Sequence, residues 1–460
     1  MFGVNQLFMV TVLVILGGAL YAYRKTRDGL HPAVIVALPL AYVYGIWPIV
    51  LNWDGGIEKL FGSERLFNVV LLYLVSIFAF IFGLTRLPKS RELLWIRGHR
   101  RSLANIFTLS FSERKKRELY RLSMILGFAG FAAYWYMIEN VGGFVSAFSR
   151  AKGGGYAASG YIGEAVLLAF PAILLLALSR QGRKLRVQDI ALALIYAAPH
   201  LIQGTFGGRR GPLFLVLSTL FICWHVAKGR MPSLRRAIIG FGVIGFAVIL
   251  VLSQRQYVYI GSQADFEWTR IEDTIRAEQL EKNDYVAGVA HVMKVDFFQD
   301  FYWGYRYFVT LFIRPIPKQI WPTKYEDMGA VWLKNYEEEG QYAYESLLGF
   351  SPPRGSSIGF IADIYQEFSW GVVFVVFLLG RAYGAVWRRH VYRGGFWTML
   401  YVEMLILIVY IPTQSFSAWF HRLAVMGVIT WLGWRYYIKE DKRDYSAQPV
   451  EIAGKGRWHG

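Results

Sequence analysis

The chain has 460 residues, 55% of them hydrophobic and 17% aromatic, and 50 Lys/Arg against 32 Asp/Glu leave it at +18. A soluble protein of this length divides into domains with few unbroken apolar stretches, whereas these run roughly 17 to 23 residues, matching the ~20 needed to cross a bilayer. The cations cluster at the ends of those stretches, as anionic headgroups and the insertion rule require, which argues against a nucleic-acid partner. The single cysteine, Cys223, excludes an intrachain disulfide and a cysteine metal cluster.

The pattern predicts an all-α polytopic membrane protein with about eleven transmembrane helices, near 5–23, 32–52, 66–85, 122–140, 160–179, 189–206, 212–228, 236–254, 358–380, 396–413 and 421–438. The first stretch has no basic residue ahead of it and Arg24, Lys25 and Arg27 behind it, the reverse of a signal peptide. It is expected to be a retained span with its N-terminus outside. Each odd-numbered span is followed by a basic segment, such as 86–121 with eleven Lys/Arg against three acids, or Arg180, Arg183, Lys184 and Arg186. Loops after even-numbered spans are short, weakly charged or acidic. This alternation predicts a cytoplasmic C-terminus in a bacterial inner (plasma) membrane.

Four regions follow: spans one to eight in 1–255, a large external loop in 256–357, spans nine to eleven in 358–443, and a disordered cytoplasmic tail in 444–460. The loop holds 15 acidic and 10 basic residues, so the positive charge lies elsewhere in the chain. Long connections of this kind tend to be functional. It carries an expected amphipathic helix from Asp265 to Asn283, then the run Phe297-Phe298-Gln299-Asp300-Phe301-Tyr302-Trp303, suited to a membrane interface or a sugar-stacking wall.

Soluble-enzyme fingerprints and metal-ligand spacings are absent, and no cofactor is implied. His200 and His225 stand singly within spans, where a packed, hydrogen-bonded histidine is the ordinary outcome.

Three external features remain. Gly207-Gly208-Arg209-Arg210-Gly211-Pro212 puts two arginines at a glycine-lined helix start, on the face where the insertion rule disfavours them. Free backbone N–H groups and two guanidiniums suit a phosphate or diphosphate, the alternative being arginines that snorkel to headgroups. Arg314-Pro315-Ile316-Pro317-Lys318-Gln319-Ile320-Trp321-Pro322-Thr323-Lys324 has three prolines in eight residues, a stiff extended path presenting Arg314, Lys318 and Lys324 around Trp321. It reads as a glycan-phosphate contact or a rigid surface loop. Asp363 and Glu367, four apart, share a helix face one to two turns into an apolar segment, at ~2.5–3.5 kcal/mol each if central. They need a task or a partner, and the outer arginines are the expected partners. Glu164, Arg255 and the pair His421-Arg422 are weaker candidates for a common outward cavity, each singly an interfacial anchor.

These segments resemble those of the Wzy-like oligosaccharide repeat-unit polymerases. Gly208-Arg209-Arg210-Gly211 is similar to that family's Gly-x-Arg-Gly, with Arg210 in the arginine position. The Arg314 to Lys324 run is similar to its Pro-x-x-x-Trp-Pro-x-Lys segment. Asp363-Ile-Tyr365-Gln-Glu-Phe368 resembles its Glu-x-Tyr-x-x-Phe-Gly segment, with aspartate for the acid and Ser369 for the glycine. Together these segments span about the C-terminal half.

The resemblance implies a GT-C-like membrane glycosyltransferase that polymerises undecaprenyl-diphosphate-linked oligosaccharides on the periplasmic face, for O-antigen or exopolysaccharide. Asp363 or Glu367 would take the proton of the attacking hydroxyl. Arg209, Arg210, Arg314, Lys318, Lys324, Trp321, Arg255 and Arg422 would bind substrate. Membrane lipid and other polysaccharide-assembly proteins, such as a chain-length regulator, are the implied partners. An O-antigen ligase shares the layout. A flippase or transporter would call for internal repeats that the sequence lacks.

Overall fold

The protein is seen in a computed structural model. It describes residues 3–26, 28–29, 31–86, 113–149, 161–181, 183–228, 234–254, 259–261, 280–316, 319–330, 343–352, 356–393, 395–408 and 410–438. Among these residues there is no strand. The principal helices are α1 (Val4–Thr26), α2 (Pro32–Leu51), α3 (Ser63–Thr85), α4 (Glu113–Glu139), α5 (Ala169–Ser179), α6 (Val187–Thr205) and α7 (Arg210–Lys228). They continue with α8 (Leu234–Gln254), α9 (Asp284–Phe298), α10 (Gly359–Phe368), α11 (Val372–Arg393), α12 (Phe396–Leu407) and α13 (Phe416–Gly433).

Six helical stretches are long and apolar enough to cross a membrane: α1, α2, α3, α4, α7 and the α10–α11 run from Gly359 to Val391. The protein is therefore an all-α membrane protein. Other helices stand at the remaining expected spans without being both long and apolar enough to count among these six. The stretch expected to start at 160 opens as a turn of helix, Tyr161–Glu164, and a 3-10 turn, Ala165–Leu168, before α5. Within α2, prolines 39 and 48 flank a π-turn at Tyr42–Ile46, as removal of a backbone donor predicts. Of the expected amphipathic helix from Asp265 to Asn283, residues 265–279 lie outside the described residues, as do most of the basic segment 86–121 and the tail 444–460.

The closest helix pair is α3 with α11. A Cβ on Gly83 would stand 2.5 Å from the Phe377 carbonyl oxygen, and one on Gly380 2.3 Å from that of Phe80. Two glycines facing each other let the backbones touch, the small-residue packing that joins helices where apolar burial gives no preference for association.

The segment expected to be an external loop contributes a central helix. In α9 every residue from Tyr285 to Val295 is buried, and Tyr285 packs edge-on against Phe8, Tyr44 and Tyr73 of α1, α2 and α3. Gly288 meets the Ile358 carbonyl, which docks α9 beside the start of α10. The segment is thus rooted in the bundle through α9.

Candidate functional site

Asp363 and Glu367 project from one face of α10, as their spacing predicts, and are 1% and 0% exposed. Their partner is Arg306, which follows the aromatic run. Its Nε donates to Glu367 Oε1 at 2.6 Å, while Nη2 donates to Asp363 Oδ1 and, at 3.1 Å, to the Asp363 carbonyl. The remaining acceptor sites are also taken. Gly304 N–H donates to Glu367 Oε2 at 2.8 Å, and the Tyr307 hydroxyl (3.1 Å) and Ser417 N–H (2.9 Å) donate to Asp363 Oδ2. Burial opposes the Arg306 charge, but the carboxylates of Asp363 and Glu367 more than offset it and hold the guanidinium protonated. This arrangement locks α10, the Trp303–Tyr307 segment and the first turn of α13 together.

The glycine turn lies in a second joint. Gly208 has a φ of +56°, which glycine adopts without strain, and α7 begins at Arg210. Arg210 pairs with Asp284, the first residue of α9; their side chains are 37% and 34% exposed. The other oxygen of Asp284 accepts the Ser357 N–H at 3.0 Å, tying this joint to the approach to α10. Arg209 is exposed beside it.

The proline-rich segment folds back on itself. Lys324 is 2% exposed, and its ammonium donates to the carbonyls of Ile313 (3.1 Å), Arg314 (2.7 Å) and Ile316. There it gathers carbonyls where the turn Val309–Ile313 ends, that of Ile313 also accepting the Ile316 N–H at 3.1 Å. Trp321 is held by Asp327 through its indole N–H and packs on Val309, Ile313 and Ala330. Arg314 remains exposed. Lys318 and Arg255 lie outside the described residues.

A third group gathers residues that the sequence offered only singly. His421 Nε2, in α13, lies 2.9 Å from Glu164 Oε2, at the turn that leads into α5. Arg314 of the proline segment and Arg422 of α13 both act electrostatically on Glu164. Arg422 also donates to the Ala418 carbonyl at 2.9 Å. His200 is packed on Phe170, 3.1 Å from the Val166 carbonyl, and His225 is hydrogen-bonded to Phe221 within its own helix.

Around these groups runs an aromatic rim. Phe297 and Trp303 are largely exposed, while Phe301 turns inward against Tyr365. Phe308, Phe312 and Trp370 are exposed as well.

Arg306 and Asp284 were not singled out in the sequence. Arg306 stands between Tyr305 and Tyr307, a lone cation in an aromatic segment, and that isolation was its only signal. Asp284 follows Asn283, whose side chain caps α9 by accepting the Tyr285 N–H at 2.8 Å; the pair looks like helix-start chemistry and hides the second role of the aspartate. Among the described residues no group of three or more His, Cys, Asp or Glu could hold a metal ion.

Comparison with protein-family models, with curated proteins and with solved structures finds no match. Fold and site define a class alone: an all-α membrane protein with a polar, arginine-bearing cluster where a loop-derived helix meets the spans.

Proposed function

We propose that the protein is a membrane glycosyltransferase that polymerises undecaprenyl-diphosphate-linked oligosaccharide repeat units. In this reading it has eleven spans in a bacterial inner membrane, with its N-terminus and the arginine cluster outside and its C-terminus in the cytoplasm. The observation that carries the proposal is Arg210. It stands at a glycine-turn helix start and is one-third exposed, with its Nη2 on Asp284 and other guanidinium N–H groups for a ligand.

When the anomeric C–O bond breaks, negative charge grows on the departing diphosphate. A fixed guanidinium at a helix start, oriented in advance, stabilises that charge more in the transition state than in the ground state. Arg209 adds a second cation at the same turn. Asp284 holds Arg210 in place, and its Ser357 contact transmits that position to α10. Asp363 and Glu367, with their oxygens taken by five donor groups, act here as positioning residues. The motif likeness has one further support. Ser369, where the polymerase segment carries glycine, has a φ of +50° and ψ of −137°, a conformation that favours glycine.

Arg210→Ala in cells that depend on this chain for their polymer tests the proposal. The expected result is at least a ~10²-fold loss of chain extension with normal insertion, the magnitude seen when one transition-state donor is removed. Single repeat units on the lipid carrier then accumulate. Long polymer at its usual level overturns the reading.

A further inference from the structure

We propose that Glu164 and His421 are the proton-accepting pair of the transfer, with His421 as the catalytic residue that meets the acceptor hydroxyl. This rests on the glycosyl-transfer reading above and moves the base away from α10. The elimination is physical. Asp363 and Glu367 are sealed and saturated by Arg306, Tyr307, Gly304 and Ser417. Asp284 has one oxygen on Arg210 and the other on Ser357. His291 is fully buried, its nitrogens 2.7 Å from the Tyr344 hydroxyl and 3.1 Å from Gln366 Oε1, too enclosed to meet a glycan.

Glu164 and His421 differ in access. Their side chains are 30% and 14% exposed, and Nε2 and Oε2 are 2.9 Å apart. Nε2 is shielded from solvent on the Glu164 side, and its approach to the carboxylate is off the line of a good hydrogen bond. An imidazole held by a carboxylate is the standard way to fix which nitrogen carries the proton and to stabilise the imidazolium once formed. Arg314 and Arg422 both act electrostatically on Glu164, and two cations against one carboxylate suit a substrate carrying a diphosphate.

The lock explains how the pair is placed. Ser415 caps α13, and the Ser417 N–H is held by Asp363 at 2.9 Å. His421 is four residues beyond Ser417, hence on the same helix face. Phe416 packs at a tilt on Tyr307, with ring centroids 5.4 Å apart, fixing the same turn from the loop side. Asp363 therefore acts through α13: it sets where His421 points.

In the step, the acceptor hydroxyl oxygen bonds to the anomeric carbon while the bond from that carbon to the diphosphate oxygen breaks. The lipid diphosphate leaves with the electron pair. The hydroxyl proton passes to His421, and Glu164 balances the charge.

The test uses the full chain in vesicles supplied with lipid-linked repeat units extracted from the same cells. His421→Ala is expected to lower kcat by ~10²–10⁴-fold, the usual contribution of a general base, with KM changed by less than about threefold. Added imidazole restores turnover in His421→Ala, which a packing role would not allow. His421→Gln, closer in shape, guards against a folding defect and is expected to be equally slow but without rescue. Glu164→Gln is expected to slow kcat to a smaller extent. Wild-type rates in His421→Ala, or loss of activity in both His421 variants with no imidazole rescue in the alanine form, overturn the inference. If the wild-type chain itself extends nothing, the glycosyl-transfer reading fails instead, so the two failures are distinguishable.

Discussion

Arg306→Met separates a structural lock from a catalytic carboxylate pair. Methionine keeps much of the side-chain length and removes the charge. Two carboxylates, 1% and 0% exposed, then lose their cation: the 2.6 Å bond to Glu367 and both contacts to Asp363 disappear together. Breaking a buried pair from one side costs about 3–5 kcal/mol, because the uncompensated charge remains inside. Here Tyr307, Ser417 and Gly304 still donate to the carboxylates, which places the expected loss in the lower half, about 3–4 kcal/mol. Against a total stability of about 5–15 kcal/mol that is a large fraction.

The triple variant Arg306→Met, Asp363→Asn, Glu367→Gln has no charge left to strand, and neutral replacements of a buried ion network are often near neutral in stability. It is expected to recover most of the loss. Thermal unfolding of the four combinations (wild type, Arg306→Met, the Asp363/Glu367 double variant and the triple) gives the coupling energy directly. An Arg306→Met protein within ~1 kcal/mol of wild type, or a triple variant no more stable than the single, refutes the lock.

Two further perturbations bear on the loop and on the α10–α11 corner. Lys324→Met takes the ammonium from three carbonyls and, among the described residues, leaves only that of Ile313 with a backbone donor; with charged hydrogen bonds contributing ~1.5–3 kcal/mol, hydrogen exchange across the described residues of 305–330 is expected to quicken by more than tenfold while the spans stay protected. Unchanged exchange there would return Lys324 to the list of ligand cations. Ser369→Gly relieves a backbone conformation costing an L-residue ~1–3 kcal/mol and is expected to raise stability by about 1 kcal/mol, since the hydroxyl contact with Tyr365 is lost as well. A destabilised variant would show that the side chain matters more than the backbone strain.

Much of the architecture was legible because apolar length and charge alternation are one-dimensional signals. The helices α1, α3, α6, α7 and α8 stand where uninterrupted apolar stretches required them, each within a few residues. The spacing of Asp363 and Glu367 placed both on one face, and their depth called for a cation or a task. The cation was not legible. Arg306 is 57 residues away from Asp363, and only the return of the loop onto α10 brings them into contact. Lys324 was read with Arg314 and Lys318 as a presented cation; in the fold it is buried, its ammonium on the carbonyls of Ile313, Arg314 and Ile316.

The sequence by itself determined an all-helical membrane protein and marked three segments rich in arginine, proline and acid. Each of those follows from local composition and period. Tertiary structure alone decided that α9 enters the bundle, that Arg306 satisfies the acids of α10, and that Glu164 meets His421 across 257 positions of chain. Ion pairs of that separation leave no periodic trace, since which charges meet depends on how the helices pack and not on what stands beside each charge in the chain.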